Sequence, residues 1–281
     1  MKEPWLHWHR FGDGGLETTL VFLHATGLNA SAYRPILSRL GAHFNVYAPS
    51  LRGHGATRLA ADPEKLRDWW LFAKDVVTDL QAWPMEGRLI LAGHSAGAVT
   101  ALLAARELKP SAVLMVEPVV LPAAAVWLAR SPLKRLTTDK IKIARDAARR
   151  RERFPSLDAA RKAYRSRSFF RSWDEAAFEG YLEEGFEDHP EGGVALRCTP
   201  SWEAAMFRAQ GHGYWPHVQH ASAQGIPLHV LAASQRSTAP QALRPKMFKR
   251  GIALTEVQGS HMIPVEAPHD VADWITAQSK V

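Results

Sequence analysis

One five-residue stretch combines a potential nucleophile with the small neighbours that such a residue needs. Gly93-His94-Ser95-Ala96-Gly97 follows the apolar run RLILAG (88–93) and precedes a helical pattern at 96–108. A serine in a tight turn from strand to helix projects its hydroxyl at the carboxyl edge of a sheet, and flanking glycines avoid collisions there. The following helix offers free backbone N–H groups and its positive dipole end. We therefore predict that Ser95 is a nucleophile.

Apolar runs alternate with helical patterns along most of the chain, which predicts βαβ units. Predicted helices lie near 31–40, 64–83, 96–108 and 266–279, and WLHWHRF at 5–11 is predicted to be an antiparallel edge strand. The predicted core strands are TTLVFLH (18–24), FNVYAPS (44–50), RLILAG (88–93), SAVLMVE (111–117), LHVLAAS (228–234) and IALTEVQ (252–258). The predicted fold class is α/β, with a mostly parallel, doubly wound sheet.

The alternation of apolar strands with helical patterns stops after Pro122 and resumes at Pro227. The intervening sequence is helix-like, charged and rich in large aromatic residues. Neither half of the core has enough strands to close its own sheet, which favours one core with an insertion over two domains. We predict a first part of the core at 1–121, a helical insertion at 122–222 and a second part of the core at 223–281.

Three further segments carry recognisable motifs. LVFLHATGLNASAYRPILSRL (20–40) holds a His-Ala-Thr-Gly turn after a strand, and VYAPSLRGHGAT (46–57) holds Arg-Gly-His-Gly. EVQGSHMIPVEAPHDVADWI (256–275) runs from a strand through Gly-Ser-His and a proline into a closing helix. Together with the serine turn, and in this order, the segments resemble the α/β-hydrolase family over about 20–121 and 226–279. The insertion also lies where that family inserts its helical cap.

The resemblance implies roles for several of these residues. His261 corresponds to the family's general base, which takes the serine proton and returns it to the leaving group. The backbone N–H groups of Thr26 and Ala96 correspond to the oxyanion hole. Ala25 stands where the family usually has a glycine. His54, in the Arg-Gly-His-Gly loop, is expected to be structural.

The third member of the expected triad is missing from its usual place. In most family members a carboxylate follows the strand that corresponds to LHVLAAS, but here LHVLAASQRSTAP (228–240) contains neither Asp nor Glu. No carboxylate occurs from Ala204 to Thr255. Other carboxylates are poorly placed, because Glu256 lies inside a strand, Glu266 and Asp270 belong to the closing helix, and Glu203 lies in the insertion.

Glu117 ends the strand next to the nucleophile strand, directly before Pro118. All carboxyl ends of a parallel sheet open on the same side, where ligands bind. A subset of α/β-hydrolases, including some haloalkane dehalogenases, carries its acid at this position. We predict that Glu117 orients His261, with Ser234 to Thr238 lining the site or supporting the histidine. The alternative is that Glu117 caps loop amides beside a weaker Ser–His dyad.

Composition narrows the class of protein. The chain has 281 residues, of which 46% are hydrophobic and 22% charged. The first residues, MKEPWLHWHR, are too polar for a signal peptide, and the apolar run LPAAAVWLA is too short to span a membrane. Cys198 is the single cysteine, so this chain forms no disulfide within itself. These features predict a cytoplasmic protein without a membrane partner.

The formal charge of +7 is unevenly distributed. From Arg130 to Arg171 there are 15 Lys and Arg against 4 Asp and Glu, and from Ser172 to Gly193 there are 8 Asp and Glu and no Lys or Arg. A basic segment followed by an acidic one can neutralise itself by packing. We predict no nucleic-acid partner, and polyanion binding by the basic segment stays a weaker alternative.

The function predicted from the resemblance is hydrolysis of a carboxylic ester or related acyl bond by a serine esterase. A serine nucleophile disfavours the family's dehalogenases and epoxide hydrolases, which need an aspartate. Carbon–carbon bond hydrolases, lactonases and a non-enzymatic receptor on this fold remain alternatives. We expect no cofactor, no metal, and a small acyl substrate of apolar or aromatic character. The candidate pocket residues are His24, His94, Trp127, Trp202, Met206 and Met262.

Overall fold

The computed structural model describes residues 4–12, 15–83, 87–131 and 141–280. Its strands are β1 (His7–Phe11), β2 (Thr18–Leu23), β3 (Asn45–Ser50), β4 (Arg88–His94), β5 (Ala112–Val116), β6 (Arg153–Phe154), β7 (Phe186–Asp188), β8 (Val194–Leu196), β9 (Leu228–Ala233) and β10 (Ile252–Val257).

The α-helices are α1 (Arg34–Leu40), α2 (Trp70–Ala82), α3 (Ala96–Leu108), α4 (Ala123–Arg130), α5 (Lys142–Ala148), α6 (Leu157–Arg165), α7 (Ser168–Arg171), α8 (Glu175–Gly185), α9 (Pro200–Arg208), α10 (Trp215–Ala223), α11 (Arg244–Lys249), α12 (Ile263–Glu266) and α13 (Pro268–Gln278). Short 3-10 helices at Ala30–Tyr33 and Gln241–Leu243 precede α1 and α11. Among the described residues, no helix has the length and apolar character needed to cross a membrane.

Seven strands form the main sheet, in the spatial order β1-β3-β2-β4-β5-β9-β10. Only β1 runs antiparallel to its neighbour, β3, and the other pairs are parallel. The predicted α/β class and the predicted antiparallel edge strand are therefore confirmed.

The central strands are buried on both faces because helices cover both sides of the sheet. Val21 and Leu23 of β2 pack in the apolar cluster that includes α2 and α3, whereas Leu20 and Phe22 pack in the cluster that includes α1 and α13. Burial on both faces explains why these strands occur in the sequence as continuous apolar runs.

Parallel pairing brings the segments that carry the chemistry to one edge of the sheet. His94 at the end of β4 pairs with Val116 of β5, which in turn pairs with Leu231 of β9. Val257 at the end of β10 pairs with Ala233 of β9. The residues that follow these four strands consequently share one edge.

The chain between β5 and β9 leaves the main sheet and forms what we call the inserted segment, Ala123–Ala223. It holds α4 to α10 and a three-stranded antiparallel sheet in the order β6-β8-β7. The segment is mainly helical, as expected, and its small sheet was not predicted because strands of two or three residues are too short to produce a detectable alternation. The domain boundaries at 122 and 222 stay a prediction.

Basic and acidic parts of the inserted segment pair with each other. The ion pairs are Arg153–Glu191, Arg161–Glu179 and Arg165–Glu175. Each joins the basic stretch to the acidic stretch that follows it. The pairs are partly exposed and stabilise the fold only slightly, but they support the interpretation that the charge asymmetry neutralises itself.

Candidate active site

Ser95 lies in the turn between β4 and α3, in a strained backbone conformation with φ 56° and ψ −115°. A side chain at Gly93 would place its Cβ 2.5 Å from the carbonyl carbon of Gly97, and one at Gly97 would collide with the carbonyl oxygen of Leu23. Both glycines are required because strand, turn and helix approach closely here. The predicted strand–turn–helix arrangement around the serine is present.

His261 follows β10 and brings its imidazole to the serine. Its Nε2 lies 3.1 Å from Ser95 Oγ, and its Nδ1 lies 3.0 Å from Glu117 Oε2. The three side chains thus form a continuous hydrogen-bonded series. In it, Nδ1–H donates to the carboxylate and Nε2 is free to accept the serine proton.

Glu117 directly follows β5 and is completely buried, with 0% of its surface exposed. Its Oε1 accepts hydrogen bonds from Ala233 N and Ser237 Oγ, both at 2.6 Å, and its Oε2 accepts one from Thr238 N at 2.9 Å. Burial opposes ionisation, but the hydrogen bonds from His261, Ser237 and the two amides outweigh it and lower the pKa of Glu117. The buried carboxylate therefore stays charged.

The loop after β9, where the family acid was expected, donates hydrogen bonds instead. Thr238 Oγ1 donates to the backbone oxygen of Glu117 at 2.8 Å and lies 3.1 Å from His261 Nδ1. Because its proton is committed to Glu117, the hydroxyl offers a lone pair to the imidazole N–H. Ser237 and Thr238 therefore contact His261 or its carboxylate partner. Support of the histidine was one of the two roles predicted for Ser234 to Thr238.

Two backbone N–H groups are available for an oxyanion. Ala25 N donates to Tyr33 Oη at 3.1 Å and Gly27 N donates to His54 Nε2 at 3.1 Å, whereas Thr26 N between them has no acceptor within the described chain. Ala96 N is the first amide of α3, where helical geometry supplies no acceptor. The Thr26 and Ala96 amides are therefore free to bind a ligand oxygen, and their role as an oxyanion hole stays a prediction.

His24 and His94 hold the backbone around the site rather than lining a pocket, which corrects the prediction for both. His24 Nε2 accepts from Leu51 N at 2.8 Å. His94 Nε2 donates to the His261 carbonyl at 2.9 Å, and its Nδ1 accepts from Tyr33 Oη at 2.7 Å. Burial lowers the pKa of His24 to about 4 and holds the pKa of His94 well below its ordinary value, so both are neutral.

Two cavities meet at Ser95 and His261. The first cavity, of about 450 Å³, is enclosed by the oxyanion loop and the inserted segment, and its walls include Arg150, Tyr164, Arg167, Phe170, Tyr181 and Met262. The second cavity, of about 430 Å³, is mainly apolar, with Trp69, Val119, Leu121, Ala125 and Ile141 in its wall. Thr26, Ile143 and Phe207 line both.

Of the predicted pocket residues outside the histidines, only Met262 lines one of these cavities. The prediction that Trp127 lines the pocket is wrong because its side chain is 69% exposed. The prediction that Trp202 and Met206 line the pocket is wrong because the face of α9 that carries them packs on the core. Trp202 Nε1 donates to Arg52 O at 2.9 Å, and Met206 O accepts from Trp69 Nε1 at 3.1 Å.

One group in the described part of the chain has the spacing of metal ligands: His7, His9 and Glu184, whose ligand atoms lie within 4.8 Å of one another. Glu184 also accepts hydrogen bonds from Ser31 N and Ser50 Oγ. None of the three ligand residues lines either cavity at Ser95. We therefore assign this group no part in the chemistry.

The chain is similar to known proteins in sequence and in fold. Residues 20–274 match the profile of the Alpha/beta hydrolase family. A pimeloyl-(acyl-carrier protein) methyl ester esterase from Proteus mirabilis is 40% identical over 53 residues, which are 19% of this chain and 20% of that protein. The (E)-2-((N-methylformamido)methylene)succinate hydrolase of Acinetobacter baylyi is 33% identical over 94 residues, 33% of each chain.

Structural similarity extends over nearly the whole chain. The crystal structure of E-2-(acetamidomethylene)succinate hydrolase superposes with a TM-score of 0.76 at 18% identity, covering 98% of this chain and 95% of that one. The alignments to the curated relatives span only a fifth to a third of their length. At 18% identity, the similarity to this solved structure shows the fold of the chain. The match over residues 20–274 shows its family.

Proposed function

Since the chain belongs to the Alpha/beta hydrolase family, we propose that it is a serine hydrolase that cleaves a carboxylic ester or a related acyl bond. Ser95 is the nucleophile, His261 the general base and acid, and Glu117 the carboxylate that orients the imidazole. The Thr26 and Ala96 amides form the oxyanion hole.

In the acylation step, Ser95 Oγ forms a bond to the substrate carbonyl carbon while its proton passes to His261 Nε2. The carbonyl oxygen becomes negatively charged and accepts hydrogen bonds from the two amides, each contributing about 3–4 kcal/mol. Glu117 stabilises the imidazolium through Nδ1–H. When the tetrahedral intermediate collapses, the bond to the leaving group breaks and the proton on Nε2 goes to that group.

In the deacylation step, water attacks the acyl-enzyme and His261 takes one of its protons. Collapse of the second intermediate breaks the bond to Ser95 Oγ, which recovers a proton from Nε2, and releases the acid. The net reaction adds one water across the acyl bond and leaves the enzyme unchanged.

The observation that carries this proposal is the hydrogen-bonded series from Ser95 through His261 to a buried, ionised Glu117. Distances of 3.1 and 3.0 Å are those of a general base already in contact with its nucleophile and its orienting acid. A carboxylate held only for loop capping would not need to contact the imidazole.

We further propose that the inserted segment, predicted at 122–222, acts as a cap over the substrate. Ile143, Phe170 and Phe207 from this segment line the cavities that meet Ser95. Bond specificity then depends on cap residues.

The experiment is a hydrolysis screen over p-nitrophenyl esters of increasing acyl chain length and over ring-fission products, with wild type and Ser95→Ala side by side. We expect ester turnover that Ser95→Ala lowers by up to about a million-fold, as for nucleophile loss in other serine hydrolases. Equal turnover by the two proteins would contradict the proposal.

Carbon–carbon bond hydrolysis or lactone opening by the same residues is the second candidate. It stays open because the Acinetobacter baylyi relative is named for a substrate that is not an ester, so hydrolysis by similar proteins is not confined to esters. Turnover of a ring-fission product or lactone without ester turnover would favour this candidate. Unchanged biological output of Ser95→Ala, with no turnover of any substrate, would instead favour a receptor.

A further inference from the structure

We propose that the substrate carries a free carboxylate, remote from the bond that is cleaved, and that the first cavity binds it through Tyr164, Tyr181 and Arg167. This inference rests on the proposed function and specifies its substrate class. Hydrogen-bond donors in the cavity wall that lack an acceptor among the described residues support it.

The two tyrosines are held by a single guanidinium. Arg150 Nη2 donates to Tyr164 Oη at 3.0 Å and to Tyr181 Oη at 2.6 Å. Because both phenol oxygens accept from Arg150, their own protons must be donated elsewhere. Within the described chain neither phenolic proton has an acceptor, although the tyrosines are only 1% and 3% exposed.

The acceptor for these protons must therefore come from what fills the cavity. Both tyrosines line the same cavity as Ser95 and Met262. Burial raises the pKa of Tyr181, so its phenol stays protonated and remains a donor. A donor pair that is fixed by an arginine and lacks an acceptor is suited to a ligand with acceptor oxygens.

The charge of the wall favours an anionic acceptor over a neutral one. Glu203 pairs with Arg150 and neutralises it. Arg167 also lines the cavity, with its guanidinium 5.4 Å from the ring centre of Tyr164, and no carboxylate pairs with it among the described residues. Asp146, the other acid of this wall, is bound by Lys142 Nζ at 2.5 Å.

A carboxylate offers acceptor oxygens for the phenols and a negative charge for Arg167, and such charge-assisted hydrogen bonds are about twice as strong as neutral ones. The second cavity has a mainly apolar wall and is suited to the apolar part of the substrate. The substrate would then span both cavities with its acyl carbon at Ser95. This adds an anionic group to the apolar acyl substrate expected from the sequence.

The test uses matched pairs of methyl esters. Monomethyl succinate, glutarate and adipate are compared with the methyl esters in which an isopropyl group, of similar size, replaces the free carboxylate. Acid release is measured by pH-stat for wild type, Tyr164→Phe, Tyr181→Phe and Arg167→Gln. The control is Tyr214→Phe, because Tyr214 is equally buried but lines neither cavity.

For at least one chain length we expect wild type to prefer the carboxylate ester by tenfold or more in kcat/KM. Each cavity variant should lower that preference at least fivefold, because the carboxylate ester loses more kcat/KM than the isopropyl ester does. Tyr214→Phe should leave the preference unchanged. An equal or better rate on the neutral esters, or an equal loss on both members of a pair, would overturn the inference.

A binding measurement separates this inference from the proposed function. Calorimetry on Ser95→Ala measures the affinity for monomethyl succinate, glutarate and adipate without chemistry. Binding that weakens at least fivefold when Tyr181→Phe is added supports the carboxylate site even if no ester is turned over. Absence of binding at millimolar concentrations for all three esters would overturn it, even if neutral esters are hydrolysed.

Discussion

Glu117 Oε2 lies 3.0 Å from His261 Nδ1, although the two residues are 144 positions apart and follow different strands of the sheet. The contact arises because β5 and β10 flank β9, so that their carboxyl ends lie on either side of the loop after β9. That loop, which carries no carboxylate, fills the gap with the Ser237 and Thr238 donors. The carboxylate thus follows β5 and its hydrogen-bond donors follow β9.

Removal of a donor from Glu117 should impair the chemistry without removing the acid. Ser237→Ala deletes the 2.6 Å hydrogen bond to Oε1, so the carboxylate becomes less stabilised and its pKa rises towards the ordinary value. We expect kcat to fall about tenfold, since a hydrogen bond to a charged group contributes about 1.5–3 kcal/mol. Steady-state kinetics on a turned-over ester checks this. Ser234→Ala is the control, because Ser234 bonds Gln258 instead, and an unchanged kcat in Ser237→Ala would refute the prediction.

Tyr33 connects the oxyanion loop to the histidine loop. It accepts from Ala25 N and donates to His94 Nδ1, and His94 in turn bonds the backbone of His261. Tyr33→Phe leaves a buried amide and a buried imidazole nitrogen without partners, so we expect a loss of about 1–3 kcal/mol in the free energy of unfolding.

The same variant should lower kcat more than it raises KM, because loop positions matter most in the transition state. Urea unfolding and steady-state kinetics measure the two effects. Tyr214→Phe is the control, since its hydroxyl contacts only Met115 Sδ, at 3.7 Å. Equal effects of the two substitutions would mean that Tyr33 is an ordinary core residue.

Buried neutral histidines should make the fold sensitive to acid. Burial lowers the pKa of His24 to about 4 and that of His54 to about 3, against an ordinary value of 6.5. Below pH 6.5 the unfolded chain therefore binds more protons than the folded one. The free energy of unfolding should therefore fall as the pH drops from 6.5 to 4, by about 1.4 kcal/mol per unit for each histidine.

Urea unfolding at pH 7.5, 6 and 5 checks the slope. His24→Gln keeps an acceptor for Leu51 N but cannot titrate, so its unfolding free energy should depend less steeply on pH. His43→Gln, at an exposed position, is the control and should retain the wild-type slope. A wild-type slope in His24→Gln would show that this histidine does not govern the effect.

The cavity walls predict which aromatic residues affect substrate binding. Phe207 lines both cavities, whereas Trp127 is exposed and lines neither. We expect Phe207→Ala to raise KM for the preferred ester at least fivefold and Trp127→Ala to leave it within twofold. Michaelis–Menten kinetics of both variants provides the check, and a larger effect of Trp127→Ala would place the binding site elsewhere.

The fold and the residues at strand ends could be predicted because local patterns determine them. Continuous apolar runs identified the parallel strands. Ser95 and Glu117 directly follow two of these strands and His261 lies in the loop after β10, so their proximity required only that the strands share an edge. The contact between Glu117 and His261 could also be predicted, because the expected loop lacks carboxylates and Glu117 ends a core strand.

The pocket could not be predicted in the same way, because it depends on how the inserted segment packs. Trp202 and Arg208 lie on the same helix as Phe207, but only Phe207 lines both cavities. The sequence gives no signal for which face of α9 meets the site. Tyr164, Tyr181 and Arg150 come together through tertiary contacts, so their shared wall was not predicted either.

The central claim, that Glu117 serves Ser95 through His261, can be tested without knowing the substrate. Intact-mass spectrometry measures the second-order rate at which a fluorophosphonate labels Ser95 in wild type, Glu117→Gln and Glu256→Gln. Glu256, whose carboxylate pairs with Arg244 on the surface, is the matched control. We predict one adduct per chain, on Ser95, with a rate that falls by about a thousandfold or more in Glu117→Gln and is unchanged in Glu256→Gln. Labelling of Glu117→Gln at the wild-type rate would contradict the account.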